Sequence, residues 1–453
     1  VKYRLFRGIG VATVLLLTLV ALAAGCGSSK KSSTPATTSG GQTGTPSSSV
    51  SGSISFDGVW TSSTGQKQLD QVIKAFNKKF PKVHVNYNPV GNNIPTVLTT
   101  AVAGGHPPDI ADIAQPGLIK QFADQGKLKP ITYATAAIRK NFAPVWLKLG
   151  TFDGKLYGLV YKAANKSLYW YNVPAFKAAG VKAPKTWAQL LSAAKTLKAS
   201  GTPAYSIGGA EGWTLTDLFE NIYLRTFGQA KYDALTAHKI KWTDPSVITA
   251  LKTMAQVLGD KPNVAGGTSG ALQYNFNDSV TNAFSSPPKA AIVFEADFVG
   301  GVIASSTKAK ANTGFNAAVF PTIKPGPGAS AVEVAGDLIV TFKDTPAIRA
   351  FVTYLASPEA ASTWAKAGGF GTGNHNMSAS VYPDPITRAI ETPLQTAKAV
   401  VFDMSDEQPA SFGATAAQGE WGLFQDFLKN PSNASGIASQ LEAAAAKSYR
   451  KGK

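Results

Sequence analysis

The segment Gly209-Ala210-Glu211-Gly212-Trp213 puts a carboxylate and an indole in a glycine-rich loop just before a helical pattern. A ring offers a flat apolar face and a fixed carboxylate accepts hydroxyl protons, the combination a polyhydroxylated ligand requires. The structural alternative is a helix entry with a packing Trp. Glu295 and Asp297 follow the apolar run Ala290–Phe294 and open the next predicted helix, so each could meet ligand or cap the helix N-terminus. Trp60 and Gln115 sit on loops after predicted strands, with core and turn roles as their alternatives. Gly336-Asp337 offers a backbone and a carboxylate to a hydroxyl, or forms a turn. Phe412 and Trp421 follow the acid pair Asp403 and Asp406 and could close a far wall, the acids capping local turns instead.

Covalent and metal chemistry have little to work with. Ser192-Ala193-Ala194-Lys195 has Ser-x-x-Lys spacing, but on a predicted helix that only puts both residues on one face, and the companion Ser-Asp-Asn and Lys-Thr-Gly elements are missing. The four histidines, His84, His106, His238 and His375, have no helical metal spacing. No phosphate-cradling Gly-Lys-Ser/Thr loop occurs. The expectation is a binder with no catalytic residues, no cofactor and no metal. The spacing of acid pairs cannot be read from sequence, so a glycosidase dyad is neither supported nor excluded.

The N-terminal residues speak to compartment. Lys2, Arg4 and Arg7 precede an uncharged apolar run, Ile9–Ala24, which as a helix is roughly 24 Å long, short of a ~30 Å hydrocarbon core. Residues 1–25 therefore read as a secretory signal. The run ends at Leu22-Ala23-Ala24-Gly25-Cys26, which resembles a bacterial lipobox, although Ala23 replaces the usual larger aliphatic residue. Cys26 is the only cysteine and is expected to carry lipid, which leaves no disulfide. Residues 26–52 form a Ser/Thr/Gly/Pro-rich linker, a tether spanning about 28 Å as a flexible coil. The net charge is +17, and it stays strongly positive once the three leading cations are set aside. The cations are dispersed, with no Arg-rich run and no interleaved aromatics, so nucleic acid is not an expected partner. Attraction to anionic lipid or wall polymer, or simple solubility, remains.

Elements must position the candidate residues. Ile54 and Phe56 alternate with polar neighbours as a strand. Leu69, Val72, Ile73 and Phe76 form one stripe of a helix over 66–79, and Val83, Val85 and Tyr87 mark a second strand. A helix at 96–102 and a strand at 109–113 complete an α/β pattern with parallel pairing, whose ligand loops leave the carboxyl ends of strands, here 60–65 and 112–117. Further helices are predicted at 186–199, 215–226, 246–258, 346–356, 358–366 and 433–447, punctuated by Pro and Gly clusters at 321–328 and 367–373.

A set of short motifs runs through the chain: Gly104-Gly105-His106-Pro107-Pro108-Asp109-Ile110, Gln115-Pro116-Gly117, Gln125-Gly126-Lys127-Leu128, Asp153-Gly154-Lys155-Leu156-Tyr157-Gly158 and Lys166-Ser167-Leu168-Tyr169-Trp170-Tyr171-Asn172. Gly336-Asp337-Leu338, Tyr354-Leu355-Ala356-Ser357-Pro358-Glu359-Ala360, Gly368-Gly369-Phe370, Tyr382-Pro383-Asp384-Pro385-Ile386-Thr387 and Phe402-Asp403-Met404-Ser405-Asp406 continue it. From about residue 54 onward the order and spacing resemble the family 1 extracellular solute-binding proteins of ABC importers, nearest their α-glucoside- and maltose-binding branch. The resemblance implies an α/β, two-lobed periplasmic-binding-protein-like fold of type II, each lobe a sheet flanked by helices, joined by a multi-segment hinge. It implies lobe one at 53–163 plus 337–369 and lobe two at 165–333 plus 376–453, with crossings at 161–165, 334–338 and 370–376. Gly336, Gly371 and Gly373 are hinge candidates, or ordinary turn glycines.

By the same resemblance, Glu211 and Trp213 fall where an acid and an aromatic meet sugar. Phe298 stands where relatives carry a stacking Trp, and Asn165 where they place an acid. The implied protein is a monomeric receptor on the outer face of a bacterial cytoplasmic membrane, held by lipid on Cys26. It would deliver a carbohydrate, a gluco-oligosaccharide or disaccharide, to the permease subunits of an ABC importer. Two alternatives stay open: the same fold binding a peptide, polyamine or phosphorylated polyol, and an exported hydrolase.

Overall fold

The computed structural model describes residues 49–62, 65–326 and 328–451. The predicted signal at 1–25, Cys26 and nearly all of the 26–52 linker lie outside the described residues. Among the described residues no helix is long and apolar enough to cross a membrane.

The first sheet is built from β1 (Ser51–Gly58), β2 (Lys82–Pro89), β3 (Ile110–Ile113), β4 (Gly158–Asn165), β8 (Glu333–Thr341) and β9 (Val401–Phe402). The second is built from β5 (Leu168–Asn172), β6 (Ile292–Val293) and β7 (Phe315–Val319). In the first sheet the order is β9-β8-β3-β1-β2, with β4 on β8. β1 pairs parallel with both β2 and β3, from Ser51↔Lys82 and at Phe56↔Ile110. The helix α1 (Gln66–Lys79) leads from β1 to β2, and β3 then returns to the other side of β1. Strand order therefore reverses beside β1, and the loops leaving β1 and β3 flank that switch point. α1 forms where the stripe predicts it: Leu69, Val72, Ile73 and Phe76 are its buried residues, and Lys78 and Lys79 occupy its last turn, where cations suit the helix dipole. Gly65 starts it with φ +145°, and a Cβ there would meet Trp364 at 2.5 Å, so only glycine brings the helix this close to that ring.

The two sheets serve two cores. One gathers Ile54, Phe56, Leu69, Ile113, Phe351 and Trp364, the other Tyr169, Leu215, Phe219, Trp242, Leu251 and Phe424. The second sheet is antiparallel throughout, β6-β5-β7, and most of its lobe is helical. The result is a bilobal molecule with helices around each sheet. β4 and β8 carry the chain between the two cores as an antiparallel pair, from Val334↔Asn165 to Val340↔Gly158, with a register break at Asp337/Leu338. Ala163 also bridges to Gly371, so all three predicted crossings meet in one place. Met377, Tyr382 and Leu394 join the first core, although they belong to the stretch the sequence assigned to lobe two.

The hinge glycines are explained by crowding. Gly336, Gly371 and Gly373 do not have left-handed φ values. A Cβ on them would meet Val160 at 2.9 Å, the Ala163 carbonyl at 2.4 Å and Trp146 at 2.4 Å. Predicted helices appear at Trp187–Ala199, Trp213–Phe227, Pro245–Leu258, Pro346–Leu355, Pro358–Ala365 and Ala434–Lys451. Two further helices, Pro385–Gln395 and Gly419–Lys429, are not among the predicted ones: each carries an apolar stripe, Ile386 and Leu394 or Trp421, Phe424 and Phe427, but the first contains Pro393 and the second begins on glycine. Their helices are held by tertiary packing against the local breakers.

Candidate functional site

The loops at the switch point and the helix ends of the second lobe enclose a cavity of about 210 Å³ between the two cores. Six rings line it: Trp60, Trp213, Phe276, Phe298, Trp364 and Trp421. Trp60 follows β1 and is only 2% exposed. Its backbone N–H donates to the Tyr87 hydroxyl, which donates back to its carbonyl, both at 2.9 Å. Its indole Nε1–H donates to Asp337 Oδ2 at 2.8 Å, and its ring meets Trp364 edge-on at 4.8 Å. Both interactions fix the indole.

Across the cavity, Trp213 begins its helix directly after Gly212, whose φ is +90°. A Cβ at Gly212 would lie 2.7 Å from Trp421 Cβ, so the loop presses against that cavity-lining residue. Trp213 is half-buried and packs with Phe276 and Phe298, at ring separations of 5.4 and 6.1 Å.

The polar groups divide into two sets. On the crossing strands, Lys162 of β4 lies opposite Asp337 of β8, 3.9 Å from its Oδ2. Deeper in the second lobe, Lys166 binds Asp217 at 2.9 Å and also Asp403, while its ammonium lies 5.6 Å over the Trp213 ring. Burial pulls the Lys166 pKa down, but Asp217, Asp403, Asp406 and Glu333 override it and hold the ammonium well above its ordinary range. Burial pushes Asp217 up to about 6 against the pull of Lys166. Burial likewise raises Glu333 and Asp406, with Asp403 adding like-charge repulsion. Asp217, Glu333 and Asp403 are close enough to hold a metal ion, but Lys166 already puts a cation on two of them.

Trp60, Gln115, Trp213, Phe298, Asp337 and Trp421 line the cavity. Gln115 spans the lobes, its Nε2 donating to Asp406 Oδ1 at 2.9 Å. The remaining candidates lie off the lining. Glu211 accepts from Asn92 Nδ2 of the first lobe at 2.6 Å and from the Phe276 N–H at 2.8 Å. The Asn165 N–H donates to Asp297 Oδ2 at 2.6 Å, beneath the crossing. Glu295 is buried behind the wall beside Asp217, whose charge adds to burial in raising its pKa. Phe412 is fully buried in the second core, edge-on to Trp242. Lys162, Lys166, Asn92, Phe276 and Trp364 also line the cavity and carried no functional signal in the sequence. Lys166 lay within a quoted motif, and Trp364 within a helical stripe that reads as core.

A cleft between two helix-flanked sheets, lined by rings and crossed by hinge strands, defines a two-lobed binding protein. The family of bacterial extracellular solute-binding proteins matches residues 60–362, and the chain belongs to that family. It is thus an extracytoplasmic binder and not an enzyme. The chain is 31% identical over 354 residues to the osmoprotective compounds-binding protein GgtB of Synechocystis sp., covering 77% of this chain and 83% of that one. It is 32% identical over 351 residues to the alpha-glucosides-binding periplasmic protein AglE of Rhizobium meliloti, covering 75% and 76%. A solved chitin oligosaccharide binding protein shares the fold, with a TM-score of 0.76, 20% identity, and coverage of 88% of this chain and 99% of that one.

Proposed function

We propose that the protein captures a carbohydrate in the interlobe cavity and delivers it to the membrane subunits of an ABC importer. The observation that carries this reading is the cavity itself: six rings from two lobes surround it, with amide and carboxylate groups between them. Rings cover the C–H faces of a sugar, and fixed polar groups meet its hydroxyls. A relative named for α-glucosides supports the same class.

In this reading Trp60, Gln115, Trp213, Phe298, Asp337 and Trp421 touch ligand. Glu211, Asn165, Glu295 and Asp297 hold the wall and the crossing, and Phe412 supports them from the core. Residues 53–163 with 337–369 form one lobe and 165–333 with 376–453 the other, with 377–394 packed on the first core. Ligand contacts both lobes only when they are closed, so binding favours closure, the state the importer recognises. The receptor acts as a monomer tethered by lipid on Cys26, and Cys26→Ser will release it from membranes into the medium.

Thermal denaturation with a panel of gluco-oligosaccharides, other disaccharides and polyols tests the reading. A ligand at 100 times Kd adds roughly 2.7 kcal/mol of stability. No shift across the panel will defeat it.

A further inference from the structure

Lys162 brings a charged side chain to the cavity wall. It is 6% exposed and lines the cavity. Yet among the described residues its ammonium has one ion-pair partner, Asp337 Oδ2, at 3.9 Å, too far for a hydrogen bond. The rings of Phe298 and Trp364 lie 5.5 and 6.0 Å from Nζ and hold the cation without accepting a conventional hydrogen bond. The side chain is largely removed from water while its ammonium keeps donors that no acceptor among the described residues takes at hydrogen-bond length, so a ligand oxygen can take them.

The backbone produces this arrangement. Asp337 pairs with Lys162, but Leu338 pairs with Val160, so Tyr161 is an extra residue on β4. Such a bulge re-aims the side chains beside it, and here it places a cation and an anion side by side at the cavity wall. The Trp60 indole donates to Asp337 Oδ2 at 2.8 Å, which fixes the carboxylate and, among the described residues, leaves Oδ1 available. A hydroxyl oxygen at ordinary hydrogen-bond length from Nζ and from the carboxylate closes a triangle over a 3.9 Å gap.

We propose that Lys162 is a specificity-determining contact that clamps one hydroxyl of a neutral ligand together with Asp337, the ammonium donating to the hydroxyl oxygen and the carboxylate accepting its proton. This rests on the carbohydrate reading and narrows it to neutral sugars or glycosides at this subsite. A ligand carboxylate meets the Asp337 carboxylate at this subsite. A ligand amine meets the Lys162 charge directly.

The test is calorimetric titration of glucose, maltose, trehalose, sucrose and raffinose into the wild type and Lys162→Met, with the melting temperature of each protein recorded. If the wild type binds none of these sugars, the carbohydrate reading fails and this inference with it. If the wild type binds and K162M loses at least tenfold in affinity while melting within a few degrees of it, the clamp holds. A loss smaller than tenfold overturns the clamp and leaves the carbohydrate reading standing. Should K162M not fold, the wild type decides by competition against its bound sugar: glucuronate and glucosamine must each compete at least tenfold more weakly than glucose, and equal competition overturns the clamp.

Discussion

The two walls of the cavity are built on different physics. The first-lobe wall hangs from a mixed sheet, and its rings are fixed by single hydrogen bonds and ring packing: Trp60 by Tyr87, Asp337 and Trp364. The second-lobe wall rests on buried charge, with Lys166 on Asp217 and Asp403 and further raised carboxyls behind them. A wall made of packed rings fails by leaving a hole. A wall made of compensated charge fails by leaving a charge uncompensated. Substitutions that act on stability and those that act on affinity should therefore fall on different residues of each wall.

The sharpest test of the charged wall is Lys166→Met. It leaves Asp217 and Asp403 buried without their cation, which costs about 3–5 kcal/mol. Urea denaturation will show the loss, and a loss below 1 kcal/mol means that water already compensates those acids. On the packed wall, Trp60→Ala removes a ring from the first core, at about 3–5 kcal/mol. Trp213→Ala, half-buried at a helix start, will weaken sugar binding with a smaller loss of stability. If both Trp variants lose the same stability, the contrast between the walls is wrong.

A smaller effect separates the two walls by pH. Burial raises Asp297 to about 6, beside Glu391, whose carboxyl is raised by burial and by the Asp297 charge. The native state therefore holds protons that the unfolded chain releases near pH 4. Stability from this pair is complete below that pH and is lost as pH rises through about 6. Melting temperature will fall between about pH 4 and 7, and Asp297→Asn will flatten that slope by an amount on the order of 2 kcal/mol. A slope unchanged in the variant places the titration elsewhere.

How much of this was legible in sequence follows from distance along the chain. The helix at 66–79 and the strands around it are local patterns, and the three crossings coincided with motifs that meet at Ala163, Gly336 and Gly371. Trp213 stood out because its loop is glycine-rich, and Trp60 because its loop follows a predicted strand. Lys162 and Lys166 did not, since a Lys in or beside a strand reads as a solvent-facing charge. Their burial depends on Asp217, Asp337 and Asp403, partners far away in sequence that no local pattern reveals. The hinge glycines show the converse: their type was readable, but whether rotation or crowding demands them depends on what packs above the Cα.

The smallest effect concerns the seam where the two walls touch. Asn92 at the tip of the first lobe donates to Glu211 Oε1 of the second at 2.6 Å, while Glu211 Oε2 accepts the Phe276 N–H. Both oxygens of Glu211 are therefore engaged, and the carboxylate already sits where a closed cleft needs it. A hydrogen bond to a charged group contributes about 1.5 kcal/mol, and exposure lowers it, so Asn92→Ala should remove roughly 1 kcal/mol from the closed state alone. Opening the lobes breaks this bond but leaves both cores intact, so the melting temperature without ligand should hardly move. Sugar affinity should fall about fivefold, seen mainly as faster release. An unchanged dissociation rate in Asn92→Ala will show that closure is held by the ligand and by Gln115–Asp406 without help from this contact.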